Sequence, residues 1–154
     1  MKGKHKIIIE AERLKYEFEI KRNITIVQGD SATCKTTLVD LIQTYGRYNA
    51  ESGITINSDV PCVAFSGDPS LWKMTMQAIK DSIVFFDEDY HFIFSKDFAR
   101  EVQGSSNYYV LITRQPIYDL PYSINEIYGI RTSGKYHFPE KIYHEFYPIY
   151  DSFE

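Results

Sequence analysis

Residues 24–37 read Ile-Thr-Ile-Val-Gln-Gly-Asp-Ser-Ala-Thr-Cys-Lys-Thr-Thr. A short β-branched run leads into Gly29, four residues follow, and Cys34-Lys35-Thr36 opens an apolar helical pattern at Leu38, Leu41 and Ile42. Strand, loop and helix in that order are the setting of a phosphate-binding loop, and the stretch matches Gly-x4-Gly-Lys-Ser/Thr except at Cys34, where the pattern has glycine. Backbone N–H groups at such a turn form an anion-binding nest at a helix N-terminus. Gly29, Asp30, Ser31, Ala32, Thr33, Cys34, Lys35, Thr36 and Thr37 are therefore the candidate phosphate-binding residues. Lys35 supplies a point charge between the β- and γ-phosphates, and the Thr36 hydroxyl is a candidate ligand for Mg²⁺. If Cys34 had to adopt a glycine-like backbone, the strain would cost on the order of 1–3 kcal/mol. Beside Lys35 and a helix N-terminus its thiol could also be activated.

Outward from this stretch, strands are expected over 5–10, 14–20 and 23–28, the first two as an antiparallel pair because 14–20 alternates apolar with charged residues. The helix after the loop is expected over 36–48. A short strand is expected over 53–57 and a buried one over 62–66. The Gly67-Asp68-Pro69 turn starts a helix running to about Lys80. Ser82-Ile-Val-Phe-Phe-Asp87 is continuously apolar, as a central parallel strand should be. A helix near 94–103, a loop at 104–107, an apolar strand over 108–113 and a strand over 126–132 follow. The aromatic tail over 135–150 reads as a pair of edge strands. Strands alternating with helices predict an α/β protein of three layers with a mostly parallel central sheet and an N-terminal antiparallel pair.

The chain has 154 residues, enough for one domain, 1–154, with a real core and too few for two ordinary ones. The formal net charge of −4 comes without a Lys/Arg block, so direct nucleic-acid binding is not expected. Cys34 and Cys62 form no metal or redox spacing, which suits a reducing cytoplasm. No apolar run approaches the ~20 residues of a membrane span, and the N-terminal apolar stretch stops at Glu10 rather than reading as a signal peptide.

A second motif ends the apolar strand, Ile83-Val-Phe-Phe-Asp87-Glu88. Asp87 is the candidate Mg²⁺ aspartate and Glu88 the candidate general base for an attacking water, with Asp89 a third acid without a role. A third ends the strand over 108–113. Thr113 and Arg114 are candidates for contact with the γ-phosphate or the water, with Gln115 next, while Arg47, Arg100 and Arg131 are candidate arginine fingers for a neighbouring subunit.

Together, Gly29…Lys35-Thr36, Asp87-Glu88 and Thr113-Arg114 resemble the P-loop NTPases that carry a catalytic glutamate after the magnesium aspartate. The strands before the loop are similar to the core of ABC-type and recombination-type ATPases. More narrowly, the chain is similar to small ATP-binding proteins of bacterial mobile and conjugative elements. The resemblance spans about residues 5–132 and implies a P-loop fold, ATP and Mg²⁺ as ligands, and an ATPase or ATP switch that acts on a protein partner or associates with itself. A Leu-Ser-Gly-Gly-Gln signature is missing before the acid strand, which puts an ABC-type ATP sandwich in doubt, and adenine is favoured only because no guanine motif occurs. The alternative is a degenerate phosphate-loop module with weak or no hydrolysis. A small-molecule kinase would need an arginine-rich lid, which the sequence does not offer.

Overall fold

The first hairpin forms as its alternation dictates. β1 (His5–Glu10) and β2 (Leu14–Ile20) pair antiparallel from His5↔Ile20 to Glu10↔Lys15, burying Ile7, Ile9, Tyr16, Phe18 and Ile20 on one face. β3 (Ile24–Val27) is buried at all four positions, as a strand covered on both sides should be. The computed structural model describes residues 3–28, 32–132 and 142–150, with 32–36 and residue 50 described by their backbone alone. α1 (Ala32–Tyr48) leads to β4 (Thr55–Asn57), which returns to pair antiparallel with β1. β5 (Cys62–Ala64), α2 (Trp72–Ala78), β6 (Ile83–Asp87), α3 (Lys96–Gln103), β7 (Tyr108–Ile112), β8 (Ile127–Thr132) and β9 (Ile142–Pro148) follow.

All nine described strands lie in one sheet in the order β4-β1-β2-β9-β8-β3-β7-β6-β5. The run β8-β3-β7-β6-β5 is parallel, β1 is antiparallel to both β2 and β4, and β9 lies parallel to β2 but antiparallel to β8. The expected three-layer sandwich with a mostly parallel sheet is therefore corrected: the described residues form a nearly closed mixed-sheet barrel with three α-helices.

Closure is visible in contacts across the interior. β2 and β6 stand five places apart in the sheet order, which in a flat sheet means about 24 Å at about 4.8 Å per strand. Instead the Phe18 and Phe85 rings meet with centroids 6.2 Å apart. His5 meets the edge of Tyr108 at 5.5 Å, and the Tyr108 hydroxyl donates to the Gly3 carbonyl at 2.9 Å. α1 packs inside this roll against β4, β5, β6 and β8. Its Leu38, Val39 and Ile42 share one core with Ile7, Phe18, Phe85 and Val110. A second core lies on the other face, where Phe65, Phe86, Phe98 and Tyr109 pack beneath α2 and α3.

The tail is also corrected. Residues 133–141 lie outside the described ones. The remainder forms one strand, β9, set between β2 and β8 rather than at an edge. His144 and Phe146 point inward, stacking on Tyr16 at 4.7 Å and on Phe18 at 4.1 Å. This strand joins the antiparallel hairpin to the parallel run, and the single continuous sheet can then curl on itself.

Candidate functional site

Parallel strands deliver their C-terminal ends to one rim of the sheet, where ligands of α/β proteins commonly bind. Here the ends of β3, β6 and β7 meet. Asp87 is paired in register with Ile112, and Thr113 N–H donates to the Val27 carbonyl at 3.0 Å. Glu88 and Thr113 are thereby brought side by side, one strand away from the exit of β3.

Asp87 closes β6 and is half-buried. Its Oδ1 accepts the Asp89 N–H at 2.8 Å, and its carbonyl accepts the Tyr90 N–H at 3.2 Å, so a tight turn follows the strand. Burial pushes the Asp87 carboxyl above the usual aspartate range. The Asp89 hydrogen bond opposes this, while the charges of Asp89, Glu88 and Asp40 add to it. Asp40 lies on α1, four residues beyond Thr36. In the sequence Asp40 carries no signal beyond its helical spacing of four from Thr36.

Glu88 is held on several sides. Oε2 accepts the Arg114 N–H at 3.1 Å, and Oε1 accepts the Arg114 Nε–H at 3.3 Å. The Thr113 hydroxyl lies 3.5 Å from Oε2 and 3.1 Å from the Gln115 carbonyl, and it accepts the Gln115 N–H at 3.0 Å. Thr113 is buried; Arg114 is exposed. Glu88, Thr113 and Arg114 thus form one cluster, and Asp87 ends β6 immediately before it.

The phosphate-loop candidates divide. Gly29, Asp30 and Ser31 lie outside the described residues. Ala32, Thr33, Cys34, Lys35 and Thr36 form the start of α1, which begins at Ala32 rather than at 36. Helical backbone suits any L residue, so the strain expected at Cys34 is absent. Thr37 is half-buried in the same helix. Among the described residues no group of three or more His, Cys, Asp and Glu side chains could hold a metal. Of the arginine-finger candidates, Arg100 is 3.3 Å from Asp97 and Arg131 is 3.4 Å from Glu145, while Arg47 lies in the last turn of α1.

No family model, curated protein or solved structure matches the chain. No described helix is long and apolar enough to cross a membrane.

Proposed function

We propose that the chain binds Mg-ATP at residues 29–37 and hydrolyses it slowly, as a functional relative of the P-loop NTPases. One observation carries the reading: the acids Asp87 and Glu88 and the buried Thr113 meet at the rim where β3 runs into 29–31 and α1. The rolled sheet differs from the sandwich in which such chemistry was expected, but the C-terminal ends of its parallel strands still share one rim, a common place for ligands.

In this reading the N–H groups opening α1 and the Lys35 ammonium hold the phosphates. Thr36 and Asp87 would hold Mg²⁺, which when bound neutralises charge on the transferring phosphoryl group. Burial, and after it the like charges of Asp89, Glu88 and Asp40, penalise the Asp87 carboxylate, and a bound cation would offset both. Glu88 orients the water and takes its proton, with Thr113 steadying the carboxylate. A reducing cytoplasm and a protein partner, or a second copy of the chain, complete the proposal for an ATP switch.

Titration calorimetry and phosphate release on the parent and on Glu88→Gln test it. The parent should bind Mg-ATP and turn it over; Glu88→Gln should keep binding and lose turnover. Absence of heat at millimolar ATP defeats the reading. A second reading, a binding module with little hydrolysis, is favoured by the engagement of Glu88 with Arg114, because a carboxylate whose two oxygens already accept N–H bonds is less available to orient a water. Binding with no turnover in the parent selects it.

A further inference from the structure

Glu88 has given both carboxylate oxygens to one residue. The backbone N–H of Arg114 holds Oε2, and its guanidinium Nε–H holds Oε1. The two partners differ in freedom. The arginine side chain is 62% exposed and the glutamate 28%, so the guanidinium has room to swing while the carboxylate stays seated. An ion pair this exposed is held by no more than about fivefold in population. A terminal phosphate offers a planar guanidinium a bidentate, more highly charged partner than a lone carboxylate oxygen does.

We propose that Arg114 is a latch on Glu88 that a triphosphate releases. Without nucleotide the guanidinium occupies Oε1 and keeps that oxygen from orienting a water. When a γ-phosphate arrives at the rim, Arg114 moves to it. Glu88 keeps the Arg114 N–H, and its freed Oε1 faces the water. The latch rests on the Mg-ATP reading above and adds regulation to it: hydrolysis waits until a triphosphate, rather than a shorter nucleotide, is bound. Arg114 is thus a positioning residue that acts through Glu88.

A double-mutant cycle on ATP affinity tests this, using parent, Glu88→Gln, Arg114→Met and the double variant, with AMP as the control ligand. If Glu88 competes with phosphate for Arg114, Glu88→Gln tightens ATP by about twofold to fivefold. The gain vanishes in the Arg114→Met background, and AMP is unaffected in both. Simple repulsion between Glu88 and phosphate would survive the loss of Arg114, so an equal gain in both backgrounds overturns the latch, as does no gain in either. The Arg114 Nε–H resonance gives a separate readout. It should shift when a non-hydrolysable ATP analogue is added and when Glu88 becomes Gln. An unmoved resonance in a chain that binds the analogue removes the latch and leaves the Mg-ATP reading intact. If no folded variant binds ATP, both fall.

Discussion

Asp87 stands among charges of its own sign. Because its folded carboxyl titrates above the ordinary aspartate value, the unfolded chain loses its proton first as pH rises. Stability therefore falls through that window and stays lower above it. Asp87→Asn removes the cost of burying the charge, and with it the repulsion, and still accepts the Asp89 N–H. The expected outcome is a melting temperature raised by about 2 °C at pH 7 and unchanged at pH 3, read by thermal scans at both values. Millimolar Mg²⁺ should stabilise the parent more than this variant. Part of this centre could be read from residues alone. Asp87 and Glu88 end an apolar strand, Thr113 ends the next, and parallel strands bring such ends together. The engagement of Arg114 with Glu88 could not be read, because a side chain's choice between solvent, phosphate and carboxylate leaves no periodic trace. The place of Cys34 within α1 is not legible either, because the apolar periodicity that marks the helix begins only at Leu38.

Asn107 precedes β7 and organises the entry of two strands. Its Oδ1 accepts the Ser82 N–H at 2.9 Å, and its amide donates to the Ile79 carbonyl at 2.9 Å. Asn107→Ala leaves a buried N–H without a partner, so a loss of about 2–3 kcal/mol is expected by urea unfolding. On β8 and β9, Gly129 faces Tyr147 in register, and a Cβ at Gly129 would come within 2.6 Å of the Tyr147 ring. The same ring lies under the Arg131 guanidinium at 4.8 Å. Since the contact is the far end of a side chain, Gly129→Ala should cost about 1–2 kcal/mol rather than break the strand pair. The cost should shrink in a Tyr147→Ala background, a non-additivity that marks direct contact. At this scale the sequence was informative: β1, β2, β6 and β7 follow from alternation or from continuous apolar runs. The interior place of β9 is not legible, because its alternation of inward His144 and Phe146 with outward neighbours is shared by edge and interior strands.

Over the whole molecule, closure depends on what joins β4 to β5, the two ends of the sheet. Residues 58–61 make that connection, and Asp59 accepts from His5 Nδ1 at 2.8 Å, tying the connection to the start of β1. Cys62 lies just beyond. Burial, the largest influence, pushes its thiol up to about 11, with the Ser58 hydrogen bond opposing and the Asp59 charge adding. A thiol so placed is a poor nucleophile at neutral pH. In a Cys34→Ser background, alkylation of Cys62 should be slow in the native protein and fast in denaturant. Asp59→Ala should raise the native rate by loosening the join, measured by mass spectrometry of the trapped adduct. The rolled shape was not legible because it depends on pairing Leu14–Glu17 with Ile142–Glu145. Residues so far apart in the chain share no local pattern, and nothing near residue 14 announces its neighbour.

That pairing also bears on how the protein comes into being. On the ribosome, the β1–β2 hairpin emerges more than a hundred residues before the strand that covers its flank. Until β9 is synthesised, the N–H and C=O groups along β2 are an open template for any passing extended peptide. Nascent chains stalled short of residue 142 should therefore recruit holding chaperones or aggregate, and completing β9 should end that exposure.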